Sequence, residues 1–77
     1  MSRLKLLAYR ELARLVERAG FLWKRRRGSH NVFQSADGRI VVIPDHGSAV
    51  IVRSLLREIV RDMGITVDEY NRLANEL

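Results

Sequence analysis

The chain has 77 residues, with 14 Lys and Arg against 9 Asp and Glu, and a formal net charge of +5. A chain of this length buries only about 60% of the surface that it exposes when unfolded, which leaves no room for a deep, enclosed substrate cavity. It has no cysteine and two histidines, which excludes disulfides, thiolate nucleophiles and zinc sites with three imidazole ligands. We therefore expect one domain over residues 1–77, with a surface site that uses no metal and no cofactor.

No apolar run reaches the roughly 20 residues of a membrane-spanning helix, and charged residues interrupt the N-terminal apolar stretch too early for a secretory signal. The hydrophobic fraction of 47% is too high for a disordered chain. We expect a folded, cytoplasmic protein that does not enter a membrane.

Residues 5–19 carry the first helical pattern. Apolar residues recur there at helical spacing and charged residues fall mostly on the opposite side. Gly20 follows, and a glycine at that point ends a helix by adopting the left-handed conformation. The pattern predicts an amphipathic helix that ends before Gly20.

Residues 21–43 change to a strand pattern. Three short segments rich in β-branched or aromatic residues, 21–27, 31–35 and 39–43, are separated by turn residues at 28–29 and 36–38. Asp37 and Gly38 both tolerate positive φ, as a tight hairpin requires. Pro44 has no N–H for a sheet, so the third strand should end there, before a loop over residues 45–48. The pattern predicts an antiparallel meander.

Helical spacing returns at about residue 50 and continues to Gly64, with Ser48 and Ser54 as alternative N-caps. Thr66 and Glu69 have the spacing of a capping box that opens a short last helix. Helices on either side of a three-stranded meander favour packing on one face of the sheet. The predicted fold class is therefore α+β, a two-layer α-β-β-β-α-α sandwich with its other sheet face solvated.

Four consecutive cations end the first predicted strand, where alternation would direct two of them to each face. Arginine supplies 12 of the 14 cations of the chain, and guanidinium groups bind phosphate with two hydrogen bonds and stack on bases. Charge alone does not separate RNA, DNA and acidic proteins as partners. We predict an RNA-binding surface made by Lys24, Arg25, Arg26, Arg27, Gly28 and Arg39.

His30 follows the predicted Gly28–Ser29 turn, and the neighbouring cations disfavour a protonated imidazole. A neutral histidine beside phosphate-binding cations is the minimum for metal-free RNA cleavage, in which it takes a proton from a ribose 2′-hydroxyl. We predict His30 as the catalytic residue, and a hydrogen-bonded structural histidine is the alternative. Ser29 and His46 are possible accessory residues. His46 is equally well interpreted as a structural loop residue, and the strand order decides whether it lies near His30.

Trp23 and Phe33 are able to stack on bases, but a small core needs large aromatic side chains, so we predict that both pack inside. Tyr70 is interpreted as a packing residue of the last helix, and Asp37 and Asp45 as turn formers.

Four blocks of sequence, in order and at family-like spacing, resemble the HicA-type mRNA interferase toxins. They are residues 17–21 (Glu-Arg-Ala-Gly-Phe), 28–33 (Gly-Ser-His-Asn-Val-Phe), 43–47 (Ile-Pro-Asp-His-Gly), and 56–59 (Leu-Arg-Glu-Ile) running on to 64–65 and 69–70. The resemblance covers nearly the whole chain. It implies a double-stranded-RNA-binding-domain-like fold, a small cytoplasmic ribonuclease toxin whose essential histidine is His30, and a HicB-like antitoxin that covers the active face.

The chain departs from the family pattern at two places. Many members carry a second histidine where this chain has Asn31, and a polar, Lys- and Gly-containing stretch where it has the apolar residues 49–52. That apolar stretch is a contact surface for a partner or a homodimer, or an extension of the core.

The sequence thus predicts the toxin of a toxin–antitoxin pair, a metal-independent endoribonuclease acting on mRNA with His30 as general base. The alternative is a non-catalytic RNA-binding module of the same fold. A third, less favoured possibility is an interaction subunit whose basic face meets only an acidic protein.

Overall fold

The computed structural model describes residues 3–77, and the first two residues of the predicted domain lie outside the described part. The elements follow in the order α-β-β-β-α-α, which confirms the predicted α+β fold class. Their bounds are α1 Tyr9–Arg18, β1 Phe21–Arg27, β2 His30–Ser35, β3 Ile40–Pro44, α2 Arg53–Met63 and α3 Val67–Asn75. Within residues 3–77, no helix combines the length and the apolar character that crossing a membrane requires.

The sheet is an antiparallel meander in the order β1-β2-β3, so β2 is central and both β1 and β3 are edge strands. One face, here the helix-packed face, carries the buried side chains of Phe21, Phe33, Val41 and Ile43. The other, here the open face, carries exposed apolar side chains, those of Leu22, Ile40 and Val42. Period-two alternation along each strand produces this division.

The helices supply the second layer of the core through apolar residues at helical spacing, among them Leu12, Leu15, Leu56 and Ile59. Tyr70 packs inside, as predicted, and its hydroxyl donates a 2.7 Å hydrogen bond to the Lys5 carbonyl oxygen. Burial raises the pKa of this phenol, which keeps it a donor. The bond fixes the N-terminal segment to α3.

The first helix begins at Tyr9, four residues later than predicted. The preceding segment is extended instead, because Ala8 forms an isolated bridge with Val50 and the Ile51 N–H donates to the Leu7 carbonyl oxygen at 2.8 Å. Pairing with a distant segment thus overrides the local helical spacing.

The same pairing moves the start of α2 to Arg53. The N-cap is Val52, which has no capping side chain, so the prediction of Ser48 or Ser54 as N-cap was wrong. In the extended segment, Ile51 is buried whereas Val50 and Val52 are exposed. The predicted capping box of α3 is confirmed, with the Glu69 N–H donating to Thr66 Oγ1 at 3.1 Å and the Thr66 N–H donating to Glu69 Oε1 at 3.2 Å.

Candidate active site at one end of the sheet

The turn between β1 and β2 consists of Gly28 and Ser29, and it positions His30 as the first residue of β2. Gly28 has φ +61°, a left-handed conformation that glycine adopts without steric cost. The Ser29 carbonyl accepts a 2.8 Å hydrogen bond from the Asp45 N–H, beyond β3. Ser29 therefore acts through its backbone, by tying the turn to the loop that follows the last strand.

His30 lies between Arg27 of β1 and Pro44 of β3 in the register of the sheet, and its side chain is exposed. Directly paired residues share a face, and the neighbouring Asn31 faces the helices, so His30 belongs to the open face. The sequence left open how far His46 lies from His30. Since Pro44 pairs with His30, the exposed His46 lies at the same end of the sheet, in a loop where Asp45 Oδ1 accepts from the Gly47 N–H at 3.0 Å.

A β-bulge between Trp23 and Arg25 changes where the cations point. Strict alternation would place Arg25 and Arg27 on the same face as Trp23, the helix-packed face. The extra residue shifts the alternation by one, so Arg27 pairs with His30 and Arg25 with Val32, both on the open face. The prediction of two cations on each face did not say which face each of them occupies, and the bulge decides this for Arg25, Arg26 and Arg27. Its consequence is that two guanidinium groups share the face of His30.

Arg26 faces the other way, since it pairs with the buried Asn31. On that side it is near Tyr9, whose pKa is raised by burial and further by the carboxylates of Asp45 and Glu17, while the charge of Arg26 opposes the increase. The cationic segment of β1 therefore presents positive charge on both faces of an edge strand.

Arg39 does not join this group. It precedes β3 at the opposite end of the sheet, where its Nε lies 3.4 Å from Asp37 Oδ2, the only ion pair within residues 3–77. Its guanidinium also packs against Gly64 at the end of α2, where a Cβ atom would lie 2.6 Å from Arg39 Cζ. Residues 24–27 have no comparable carboxylate partner in the described part of the chain.

A cleft of about 230 Å³ adjoins His30 between β3 and α2. Its apolar lining includes Val42 and Leu55, and its acidic lining comes from Glu58 and Asp62, one helical turn apart on α2. Sequence analysis missed these two carboxylates. Their spacing signals a shared helix face, but only the packing of α2 along the edge strand β3 brings that face to His30. Over residues 3–77, no three His, Asp or Glu side chains form a group that could hold a metal ion.

Trp23 is not a core residue, so that prediction was wrong, whereas Phe33, 1% exposed, packs inside as predicted. Trp23 lies on an edge strand and its side chain is 52% exposed. The indole Nε1–H donates a 3.0 Å hydrogen bond to Oδ1 of Asn31, which is itself only 4% exposed. Asn31 also donates through Nδ2 to the Ser29 carbonyl at 3.4 Å, so a buried amide joins the tryptophan to the turn before His30.

Residues 9–65 match the family model described as the HicA toxin of bacterial toxin–antitoxin systems. No curated protein matches the chain. The matched span runs from the first residue of α1 to just beyond α2 and includes the β1–β2 turn, His30 and the cleft beside it. It covers well over half of the chain, which therefore belongs to the HicA toxin family.

Proposed function

We propose that this toxin is a metal-independent endoribonuclease that cleaves mRNA, with His30 as its general base. One observation carries the proposal: His30 is exposed on the open face, directly opposite Arg27 and next to Arg25, at the turn that begins β2. A proton acceptor beside two phosphate-binding groups is what cleavage by an internal ribose nucleophile requires. Membership of the HicA family supplies the toxin role.

In the proposed reaction, the unprotonated imidazole of His30 takes the proton of a ribose 2′-hydroxyl. The 2′-oxygen attacks the adjacent phosphorus, the bond from phosphorus to the 5′-oxygen breaks, and that oxygen receives a proton from His46 or from water. The products are a 2′,3′-cyclic phosphate and a 5′-hydroxyl. Arg25 and Arg27 stabilise the charge that develops on the phosphate oxygens, since charge-assisted hydrogen bonds strengthen as that charge grows.

The turn contributes by holding the base in place. The hydrogen bond from the Asp45 N–H to the Ser29 carbonyl restrains the chain immediately before His30. Restraint of a catalytic group before the substrate binds lowers the entropic part of the barrier. Gly28 and Ser29 therefore serve the reaction through their backbone conformation.

Charge around His30 gives the RNA a direction of approach. Arg25 and Arg27 lie toward β1, whereas Glu58 and Asp62 line the cleft toward α2. A polyanion is attracted to the first side and repelled by the second. We infer that the RNA strand lies over β1 rather than over α2.

The open face also suits the antitoxin partner that the family implies. Leu22, Ile40 and Val42 expose apolar surface there, next to His30. A HicB-like antitoxin that covers this face would remove that surface from water and block access of RNA to His30. Val50 and Val52 offer a second exposed apolar surface, for the same partner or for another copy of the toxin.

The test is cleavage of a labelled single-stranded RNA by the purified toxin in EDTA, with His30→Ala as the variant. Positioned acid–base catalysis contributes about 10²–10⁴-fold, so we expect His30→Ala to lose most cleavage while it binds RNA as the parent does. The matched substrate control is the same oligonucleotide with 2′-deoxyribose at the cleaved position, which must stay intact. Cleavage by His30→Ala at the parental rate would overturn the assignment, and RNA that the parent binds but leaves intact would favour a non-catalytic RNA-binding module.

A further inference from the structure

Trp23 is an exposed aromatic ring on the helix-packed face of the sheet. Its partner across the ladder is Phe33, which is buried, yet the indole remains about half exposed. Because β1 is an edge strand, no further strand among residues 3–77 flanks the ring on its outer side. A large aromatic side chain left in this position buries less apolar surface than its size allows.

The indole is nevertheless held in one orientation. Its Nε1–H is bonded to the buried amide of Asn31, and that amide also reaches the backbone of Ser29. A ring fixed by a buried partner loses little conformational entropy when a ligand stacks on it. The same amide connects the ring to the turn that holds His30.

The surroundings of the ring favour a polyanion. Arg26 lies on the same face of β1 as Trp23, two register positions closer to the turn, and Arg25 and Arg27 lie on the open face. In the described part of the chain these three arginines have no carboxylate partner. Cations therefore border the edge of β1 on both sides, a path along which a single strand can pass from His30 to Trp23.

We propose that Trp23 is a base-stacking subsite for a nucleotide of the same single-stranded RNA, reached where the strand passes round the edge of β1 from the cleaved bond, with Arg26 binding the phosphate of that nucleotide. This proposal rests on the proposed function, since it gives the same RNA substrate a second point of attachment. Stacking tolerates any base because every base has a π-face, so the subsite positions the strand and does not read its sequence.

Trp23 is the only tryptophan in the chain, so its fluorescence reports the subsite directly. The experiment titrates His30→Ala, which leaves the RNA intact, with short single-stranded RNA, and follows binding independently by the anisotropy of a label on the RNA. We expect quenching of the tryptophan fluorescence. In a series of RNAs that are each abasic at one position near the cleavage site, we expect one member to lose that quenching. Binding without quenching, or equal quenching by the abasic series, would overturn the proposal.

Affinity provides a second measurement. Loss of one stacked base costs about ten- to a hundredfold in affinity, so we expect Trp23→Ala to bind RNA that much more weakly. Trp23→Phe keeps an aromatic face but loses the hydrogen bond to Asn31, so we expect its affinity to lie between those of Trp23→Ala and the parent. The matched control is Val67→Ala, which removes an exposed apolar side chain from α3, an element that contributes no residue to the proposed RNA path. RNA affinity of Trp23→Ala equal to that of the parent would refute the subsite.

The outcomes separate this proposal from the proposed function. If the parental toxin cleaves RNA but RNA does not quench its tryptophan, the nuclease proposal stands and the subsite proposal is wrong. If RNA quenches the tryptophan but is never cleaved, the subsite proposal stands and the nuclease proposal is wrong. Should Trp23→Ala fail to fold, the fluorescence titration of the unaltered ring still decides the question.

Discussion

The two hairpins of the sheet contain similar residues but differ in whether their charged groups pair with each other. Each turn contains a glycine with positive φ and lies beside arginine. In the β2–β3 hairpin the polar groups satisfy one another: the Ser35 hydroxyl donates to the Asp37 carboxylate, Asp37 pairs with Arg39, and Arg39 packs against Gly64. In the β1–β2 hairpin, the described part of the chain offers no carboxylate partner to Arg25 or Arg27, and His30 is exposed.

The difference teaches how to separate structural charge from charge that is available to a partner. A guanidinium that already has a carboxylate partner and a packing surface gains less from a phosphate, because the existing contacts must first be given up. A guanidinium without such contacts gives up only its hydration. This criterion supports the proposal that Arg25 and Arg27 bind RNA, and it leads us to propose that Arg39 stabilises the fold instead.

The largest expected effect is on RNA affinity, when Arg25 and Arg27 are neutralised in one protein and Arg39 in another. Replacing Arg25 and Arg27 by Gln should weaken RNA binding and flatten the dependence of log affinity on log salt by about 1.4, since each single-strand phosphate contact contributes about 0.7. Arg39→Gln should leave that slope unchanged. The measurement is RNA affinity over a series of salt concentrations for each variant.

The control is the free energy of unfolding of the same proteins, measured with urea. We expect Arg39→Gln to lower it and the Arg25 and Arg27 double variant to leave it nearly unchanged, because, of these three arginines, only Arg39 forms an ion pair within residues 3–77. A decrease of about 0.7 in the salt dependence of Arg39→Gln, beside about 1.4 for the double variant, would mean that all three arginines contact RNA phosphates, as the sequence predicts for Arg39.

The contrast between the hairpins explains what the sequence could predict. Turn residues and alternation are local, so the strands, the two turns and the exposed His30 follow from residues close together in the chain. The bulge that moves Arg25 and Arg27 to the face of His30 has no local marker, because a run of four cations reads the same with or without an extra residue. It depends on which residues of β2 the strand pairs with.

Two predictions were wrong because they also depend on distant pairing. The residues around position 50 have helical spacing, but Leu7 and Ala8, more than forty residues away, pair with this segment, and its backbone is extended instead of helical. Trp23 was assigned to the core by its size, whereas the position of β1 at the edge decides its exposure. The meeting of Glu58 and Asp62 with His30 likewise depends on how α2 packs. Tertiary pairing, which one sequence does not encode in any short window, accounts for each.

A smaller effect tests whether Arg39 is held by the scaffold. Gly64 has φ +76° and ends α2, and an alanine there would bring its Cβ within 2.6 Å of Arg39 Cζ. We expect Gly64→Ala to lower the free energy of unfolding by about 1–2 kcal/mol for the left-handed backbone. The added Cβ would also displace the Arg39 guanidinium, which costs further stability. Urea unfolding of Gly64→Ala, Arg39→Ala and the double variant measures this extra cost as a coupling free energy between the two residues.

Gly38→Ala is the matched control for that cycle, since Gly38 has φ +90° and no atom within 4 Å of a Cβ built there. Gly38→Ala should lower the free energy of unfolding through the strained backbone alone, with no coupling free energy to Arg39→Ala. Strictly additive effects of Gly64→Ala and Arg39→Ala would contradict a contact that stabilises the fold, and the assignment of Arg39 to the scaffold would then depend on Asp37 alone.

The smallest effect concerns the pH dependence of the β2–β3 hairpin. The hydrogen bond from the Ser35 hydroxyl is the main cause that holds the pKa of the Asp37 carboxyl below its ordinary value. The backbone N–H of Arg39 and the positive charge of its side chain lower this pKa further. A pKa lowered by folding means that the ionised carboxylate stabilises the native state above the unfolded pKa, about 4, and that this contribution disappears as the pH falls through the folded value. Asp37→Asn should therefore be less stable than the parent near pH 6, and the difference in unfolding free energy should narrow as the pH falls below about 4.

Ser35→Ala removes the main cause of the lowered pKa of Asp37. The difference in unfolding free energy between Ser35→Ala and the parent should therefore narrow over the same pH range. Parallel stability curves for the parent and both variants would show that this hairpin does not satisfy its own charge, and the contrast between the two ends of the sheet would lose its electrostatic basis.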